Sequence, residues 1–260
     1  MNCATPSTKP PPLIFEDVTI AYSNDHLPVI ANLSLIVEAG SFWAIVGPSG
    51  CGKSSLLHAT AGYIRPVSGS ICIGKHSILE PSLQVGFVSQ RYALFPWLTV
   101  GENIAFGLRS QNLSEQIVQK SLEHLLEVID LKSKREYYPE ELSGGMQQRV
   151  ALARSMAPNP PVLLLDEPFS ALDTINRINM RELLLRLWSE NQTTVLFVTH
   201  DLEEALLLAD KLLILNTSRE SIITMDIPFP RPRHLELTHS EVFQNLLKAT
   251  SAHFGAELSL

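Results

Sequence analysis

The stretch Gly47-Pro48-Ser49-Gly50-Cys51-Gly52-Lys53-Ser54 constrains this chain more than any other. It follows a short unbroken apolar run, Phe42 to Val46, and precedes Lys53 to Ala61, which reads as a helix stopped by Gly62. An apolar run without alternation marks a strand covered on both faces. Glycines let successive backbone N–H groups converge on one anion, and the helix start adds unpaired donors and partial positive charge. The spacing G-x-x-x-x-G-K-S is that of a phosphate-binding loop, in which Lys53 reaches the outer phosphates and the Ser54 hydroxyl ligates Mg2+.

The other elements fall into an α/β order. Alternating apolar residues from Ile14 to Ala21 predict an opening strand ending near Tyr22, and a second strand runs from Leu33 to Val37. Short strands are predicted at 70–73 and 85–88, and buried-type strands at 162–165 and 195–198. The chain between about Val100 and Ala157 reads as helical, interrupted near Pro139 and closed by Pro158 and Pro160. A further helix covers about 175–188, and Asp201 with Glu204 resembles a capping box opening a helix over 202–209. The strand Val162 to Leu165 ends in Asp166 and Glu167, where open parallel sheets place their ligands. Asp166 suits the Mg2+ shell, and Glu167 the orientation and deprotonation of an attacking water.

Composition narrows the class. The chain has 260 residues, 45% hydrophobic and 18% charged, enough for a packed core. A net charge of −7 speaks against a nucleic-acid partner, which needs a basic face. The longest membrane-span candidate, Ala205 to Leu215, is broken by Asp210 and Lys211 and falls short of the ~18 residues required. Cys3, Cys51 and Cys72 have no zinc or disulfide spacing and fit a reducing cytosol.

Leu142-Ser143-Gly144-Gly145-Met146-Gln147-Gln148-Arg149 places an N-cap serine and two bare glycines at a helix start, a second anion-binding arrangement. Lying between the phosphate loop and Asp166, this string resembles the signature motif of ATP-binding cassette (ABC) ATPases. The resemblance extends from about Leu13 to Leu215. Tyr22 matches the adenine-stacking aromatic residue, Gln90 the Q-loop glutamine, Ser170-Ala171-Leu172-Asp173 the D-loop and His200 the switch histidine.

The resemblance implies a P-loop NTPase core with an antiparallel β subdomain and an inserted α-helical subdomain. It also implies ATP and Mg2+ as ligands. ATP would be held by Tyr22 and by Gly47, Pro48, Ser49, Gly50, Cys51, Gly52, Lys53, Ser54 and Ser55. Ser54, Gln90 and Asp166 would face the metal, and Glu167, His200 and Gln90 would serve hydrolysis. Ser143, Gly144 and Gly145 would complete the site of a second ATPase subunit, in a homodimer or a paralogous heterodimer. Cys51, beside the helix start, is expected to favour a thiolate that nucleotide protects from bulky reagents, the alternative being a buried, inert thiol.

The expected layout is a flexible extension over 1–12, the ATP-binding domain over 13–227 with its helical part at about 95–157, and a tail over 228–260 with a short helix. A single cassette without membrane helices resembles an importer ATPase at the cytoplasmic face of the inner membrane, working with permease subunits and, indirectly, a solute-binding protein. A soluble non-transport ABC ATPase is the alternative. Residues 91–108, Thr199 to Ala205 and Pro228 to Arg233 are similar to the nitrate/sulfonate/taurine/bicarbonate importer group, whereas Leu79 to Gln84 departs from that group's Pro-Gly-x-Asp-Arg stretch. The cluster Tyr92, Leu94, Phe95 and Trp97 reads either as core of the helical insertion or as the rim of a groove for a permease helix.

Overall fold

In the computed structural model, residues 10–22, 27–90, 92–216 and 222–257 are described. Most of the expected 1–12 extension, with Cys3, lies outside them. The opening strand Leu13–Ile20 (β1) buries Leu13, Phe15, Val18 and Ile20. Its alternation shifts at a bulge beside Asp17, whose φ is 48°. β1 pairs antiparallel with Ile30–Val37 (β2) and with Ser68–Ile73 (β4), and His76–Ser77 (β5) closes that four-stranded sheet.

The second sheet is built on Phe42–Val46 (β3), every residue of which is buried. Val85–Val88 (β6), Val162–Asp166 (β7), Thr194–Val198 (β8), Lys211–Leu215 (β9) and Ile222–Asp226 (β10) complete it, in the order β10-β9-β3-β8-β7-β6. All neighbours are parallel except β10 and β9. The pleat sends Phe42, Ala44 and Val46 into the helix-covered core, and Trp43 and Ile45 into a second core beneath the antiparallel sheet. Both faces are covered, and this is why β3 has no polar alternation.

Lys53–Thr60 (α1) follows the glycine-rich loop. Val100–Arg109 (α2), opened by a full capping box between Thr99 and Glu102, packs with Glu115–Val128 (α3) and Gly144–Met156 (α4) as the helical region. Thr174–Asn191 (α5) is longer than the sequence pattern predicts. The apolar run Ala205 to Leu215 divides: Leu202–Leu208 (α6) ends at Ala209, and β9 begins at Lys211. Asp210 causes the division, because its carboxylate accepts the N–H of Phe42 at 2.9 Å and pins the chain to the start of β3. No helix among the described residues is long and apolar enough to cross a membrane.

The proline-rich segment after β10 secures α6. Arg233 donates to the carbonyls of Leu206 and Ala209, and Arg231 to that of Leu208, so two guanidiniums take up the unpaired acceptors of a helix end. Arg231 also binds Asp210 at 2.7 Å and lies 4.3 Å from the centre of the Trp188 ring. Burial, with Arg231 alongside, pushes Arg233 down to about 10, so it stays charged at neutral pH. Glu241–Ser251 (α7) then inserts Phe243, fully buried and stacked 5.6 Å from Phe229, into the main core. Arg231→Leu should lower stability by about 2 kcal/mol, since it removes the guanidinium from Asp210 and from the Leu208 carbonyl together. The urea unfolding midpoint measures this, and an unchanged midpoint would refute the clamp.

Candidate active site

Strand register gathers the site. Val198 pairs with Ile45 on one side and Asp166 on the other, and Leu165 pairs with Val88. The segments that follow β3, β8, β7 and β6 therefore leave the sheet from one edge. These segments carry the glycine-rich loop, His200, Glu167 and Gln90.

The loop is closely packed. A Cβ on Gly47 would stand 2.3 Å from the Leu215 carbonyl oxygen, and one on Gly52, where φ is 104°, would stand 2.8 Å from Val29 Cγ1. Neither position accepts a side chain. Lys53, 8% exposed, donates from Nζ to the carbonyls of Gly47 and Pro48, each at 2.7 Å. Its charge is thereby held across the loop mouth. Tyr22, half exposed, reaches the loop through its hydroxyl, 2.9 Å from Ser55 Oγ.

Ser54 Oγ donates to Asp166 Oδ1 at 3.1 Å, joining the start of α1 to the end of β7. Burial raises the Asp166 carboxyl above its ordinary range, partly offset by the Ser54 bond. Glu167 adopts φ 47°, held by its N–H on the Val198 carbonyl at 3.0 Å and by Ser170 Oγ donating to its own carbonyl at 3.0 Å. A left-handed non-glycine residue carries strain, and such strain concentrates at functional sites. The turn brings Glu167 Oε2 to 3.6 Å from His200 Nδ1. Gln90 is exposed just beyond β6.

The structure thus unites Tyr22, the loop, Asp166, Glu167 and His200. The Ser143 segment has other neighbours. Ser143 caps α4 by accepting the Met146 N–H at 3.4 Å, a Cβ on Gly144 would lie 3.8 Å from the Tyr92 hydroxyl, and one on Gly145 would meet Asn176 at 3.4 Å. The cleft beside His200 is also lined by Thr199, Arg177 and the buried Glu204, which Arg181 binds from behind; the sequence pattern gives the two arginines no role and Glu204 only that of a cap. Asp201 accepts the Glu204 N–H at 3.1 Å, as a cap should. The Glu204 carboxylate does not return the bond and turns to Arg181 and Thr199. The i, i+4 spacing of Arg177 and Arg181 on one helix face is the one available signal of this cluster.

Two expectations change. Cys51 is only 4% exposed, and burial raises its thiol above the ordinary range although Lys53 opposes the shift. The helix start does not overcome desolvation, and a favoured thiolate is not supported. The aromatic cluster divides between the two readings. Leu94 and Phe95 are half-buried, while Trp97 is 70% and Phe106 54% exposed. Phe95 lies 4.7 Å from Phe106 and 5.6 Å from Trp97, and Arg154 covers it while donating to the Ala93 carbonyl. Phe95, Phe106 and Arg154 border a surface groove of about 220 Å3 that includes Leu83, Phe87 and Pro158; Trp97 lies against Phe95 outside it.

A glycine-rich loop at the edge of a parallel sheet, facing a serine–aspartate pair and a glutamate–histidine pair, defines a P-loop nucleotide-binding protein. The family model described as ABC transporter matches residues 30–170, and the chain belongs to that family. It is 42% identical over 229 residues to the aliphatic sulfonates import ATP-binding protein SsuB of Bacillus licheniformis, covering 87% of each chain. It is 44% identical over 193 residues to the taurine import ATP-binding protein TauB of Roseobacter denitrificans, covering 74% of this chain and 72% of that one. Among solved structures, a dimeric ATP-binding cassette in a post-hydrolysis state bound to ADP and Pi superimposes with a TM-score of 0.73 at 29% identity, over 84% of this chain and 100% of that one. The expected core, antiparallel sheet and helical region are those of the family.

A raised thiol pKa means less thiolate at pH 7–8, so Cys51 should resist maleimide in the native protein, with or without nucleotide. It should label fully in urea. Peptide mass spectrometry reads this directly, and rapid native labelling of Cys51 would contradict its burial.

Proposed function

We propose that this chain is the ATP-hydrolysing subunit of an importer for organic sulfonates, taurine included, acting at the cytoplasmic face of the membrane on separate permease subunits. The observation that carries the hydrolytic reading is the pairing at one sheet edge of Ser54 with Asp166, at 3.1 Å, and of Glu167 with His200, at 3.6 Å. The solute class rests on the likeness to SsuB and TauB. The groove beside Phe95 and Phe106 suits a permease helix, since an apolar, aromatic rim needs an apolar cover.

The residues divide the work by position. Tyr22 offers an exposed ring to adenine while its hydroxyl stays anchored on Ser55. Lys53 exchanges two carbonyl acceptors for phosphate oxygens, a stronger charge-assisted pairing. The backbone from Gly47 to Gly52 cradles the phosphates. The convergence of a hydroxyl and a carboxylate, both hard oxygen donors, fits Mg2+. When bound, Mg2+ would neutralise charge on the β- and γ-phosphate oxygens, with Gln90 reaching toward it. Glu167 accepts the proton of the attacking water, and His200 holds the γ-phosphate and Glu167 together. Ser143, Gly144 and Gly145 serve the phosphate of a second subunit, because their own neighbours are Tyr92 and Asn176. The ATP-binding unit is taken as residues 13–227, and Phe229 and Phe243 of the segment after it pack into the same main core.

Glu167→Gln should cut hydrolysis by ~10²-fold or more while leaving ATP binding intact, because it removes only proton acceptance. Steady-state turnover beside equilibrium nucleotide binding tests this, and near-normal turnover rules the role out. In that background, light scattering should show an ATP-dependent dimer. Adding Ser143→Arg should abolish the dimer and leave the monomer's ATP affinity within a few-fold. A persisting dimer, or collapse of monomer binding, would place Ser143 in its own chain's chemistry. Deleting the gene should stop growth on taurine or alkanesulfonates as sulfur source and spare growth on sulfate. Unimpaired growth on all of them would overturn the solute class.

A further inference from the structure

Glu204 is 3% exposed, and a buried carboxylate persists only where its charge and lone pairs are met. Its Oε1 accepts from Arg181 Nη2 at 2.7 Å and lies 3.7 Å from Arg177 Nε, both on α5. Its Oε2 accepts the Thr199 hydroxyl proton at 3.0 Å. The same hydroxyl oxygen accepts the N–H of Asp201 at 3.0 Å. Asp201 in turn caps α6 through the Glu204 N–H, and its Oδ2 stands 3.8 Å from Arg177 Nη1.

The residue these bonds enclose is His200. Its neighbours on both sides are tied to one buried hydroxyl, while its own ring is 61% exposed and has Glu167 at 3.6 Å. Glu167, His200 and Glu204 share the wall of one small cleft of about 10 Å3. On the far side, α5 starts at Asp173, whose side chain caps it by accepting the Asn176 N–H at 2.9 Å. Asn176 is also the neighbour of Gly145. Arg177 and Arg181 thus join α5 to Glu204, and Glu204 reaches the segment that carries His200 through the Thr199 hydroxyl.

We infer that Glu204 is a positioning residue for hydrolysis, setting His200 through the Thr199 hydroxyl and linking it to α5. The inference rests on the proposed place of His200 at the γ-phosphate. A misplacement of about 1 Å at such a group costs on the order of 10²-fold in rate. Binding of ATP depends on the loop and Tyr22, which this network does not touch.

Removing Glu204 outright takes away the carboxylate that Arg181 pairs with in the interior and endangers folding, so the test is made at Thr199 in the full chain. Thr199→Val keeps the shape and leaves the Glu204–Arg181 pair. It should lower kcat about 10- to 100-fold with KM for ATP within twofold and a melting temperature within a few degrees. Thr199→Ser restores the hydroxyl and should recover at least half of kcat. A Thr199→Val protein with kcat within twofold of the parent would overturn the inference. So would a Thr199→Ser protein as slow as the valine variant, because methyl packing rather than the hydroxyl would then matter. His200→Ala, measured in parallel, should be slower than either. Full turnover in His200→Ala would remove the underlying reading of the site, a result distinct from an active Thr199→Val beside an inactive His200→Ala.

Discussion

Parallel pairing of β3, β8 and β7 puts Ile45, Val198 and Asp166 abreast, at the strand spacing of about 4.8 Å that the backbone imposes. Everything the site uses follows from that row. The loop after Val46, the turn at Glu167 and the bend at His200 emerge side by side because their strands stop together. The order is enforced by burial on both faces. A slip of one residue would turn Trp43 and Phe42 into the wrong cores, and both cores are closely filled.

The same row shows which parts the sequence makes legible. Buried parallel strands read as unbroken apolar runs, so Phe42 to Val46 and Val162 to Leu165 could be placed to within a residue. The phosphate loop was legible because its glycines meet a steric demand, as the close approach of Gly47 to Leu215 shows. Other parts were not. The division of Ala205 to Leu215 between helix and strand depends on the bond between Asp210 and Phe42, 168 residues apart, which no local pattern encodes. β10 is a half-exposed edge strand with weak alternation, and β5 has two residues.

At the site, types and spacings were legible where chemistry demands particular atoms: Lys53, Ser54, Asp166, Glu167. Environment was not. Whether Cys51 is ionised depends on how deeply the loop folds over it, and burial outweighs the neighbouring ammonium. Glu204 looked like a cap because local sequence shows the N–H it offers to Asp201 but not the two arginines that face its carboxylate from α5. The aromatic run after Gln90 posed a choice between core and groove that only side-chain exposure could decide, residue by residue.

The arginine clamp on α6 also has a consequence in time. The carbonyls of Leu206 and Ala209 are met by Arg233, which follows them in the chain by 27 and 24 residues. A nascent chain emerging from the ribosome presents the helix after His200 well before the groups that finish its end. Until residues 231–233 arrive, the last carbonyls of this seven-residue helix lack the guanidiniums that meet them, and the helix rests on its N-terminal cap and its buried apolar side chains. The glycine-rich loop is synthesised early, but Gly47 packs against the Leu215 carbonyl and β3 lies between β8 and β9, so the loop, like the end of α6, takes its final form only when distant downstream residues have been added.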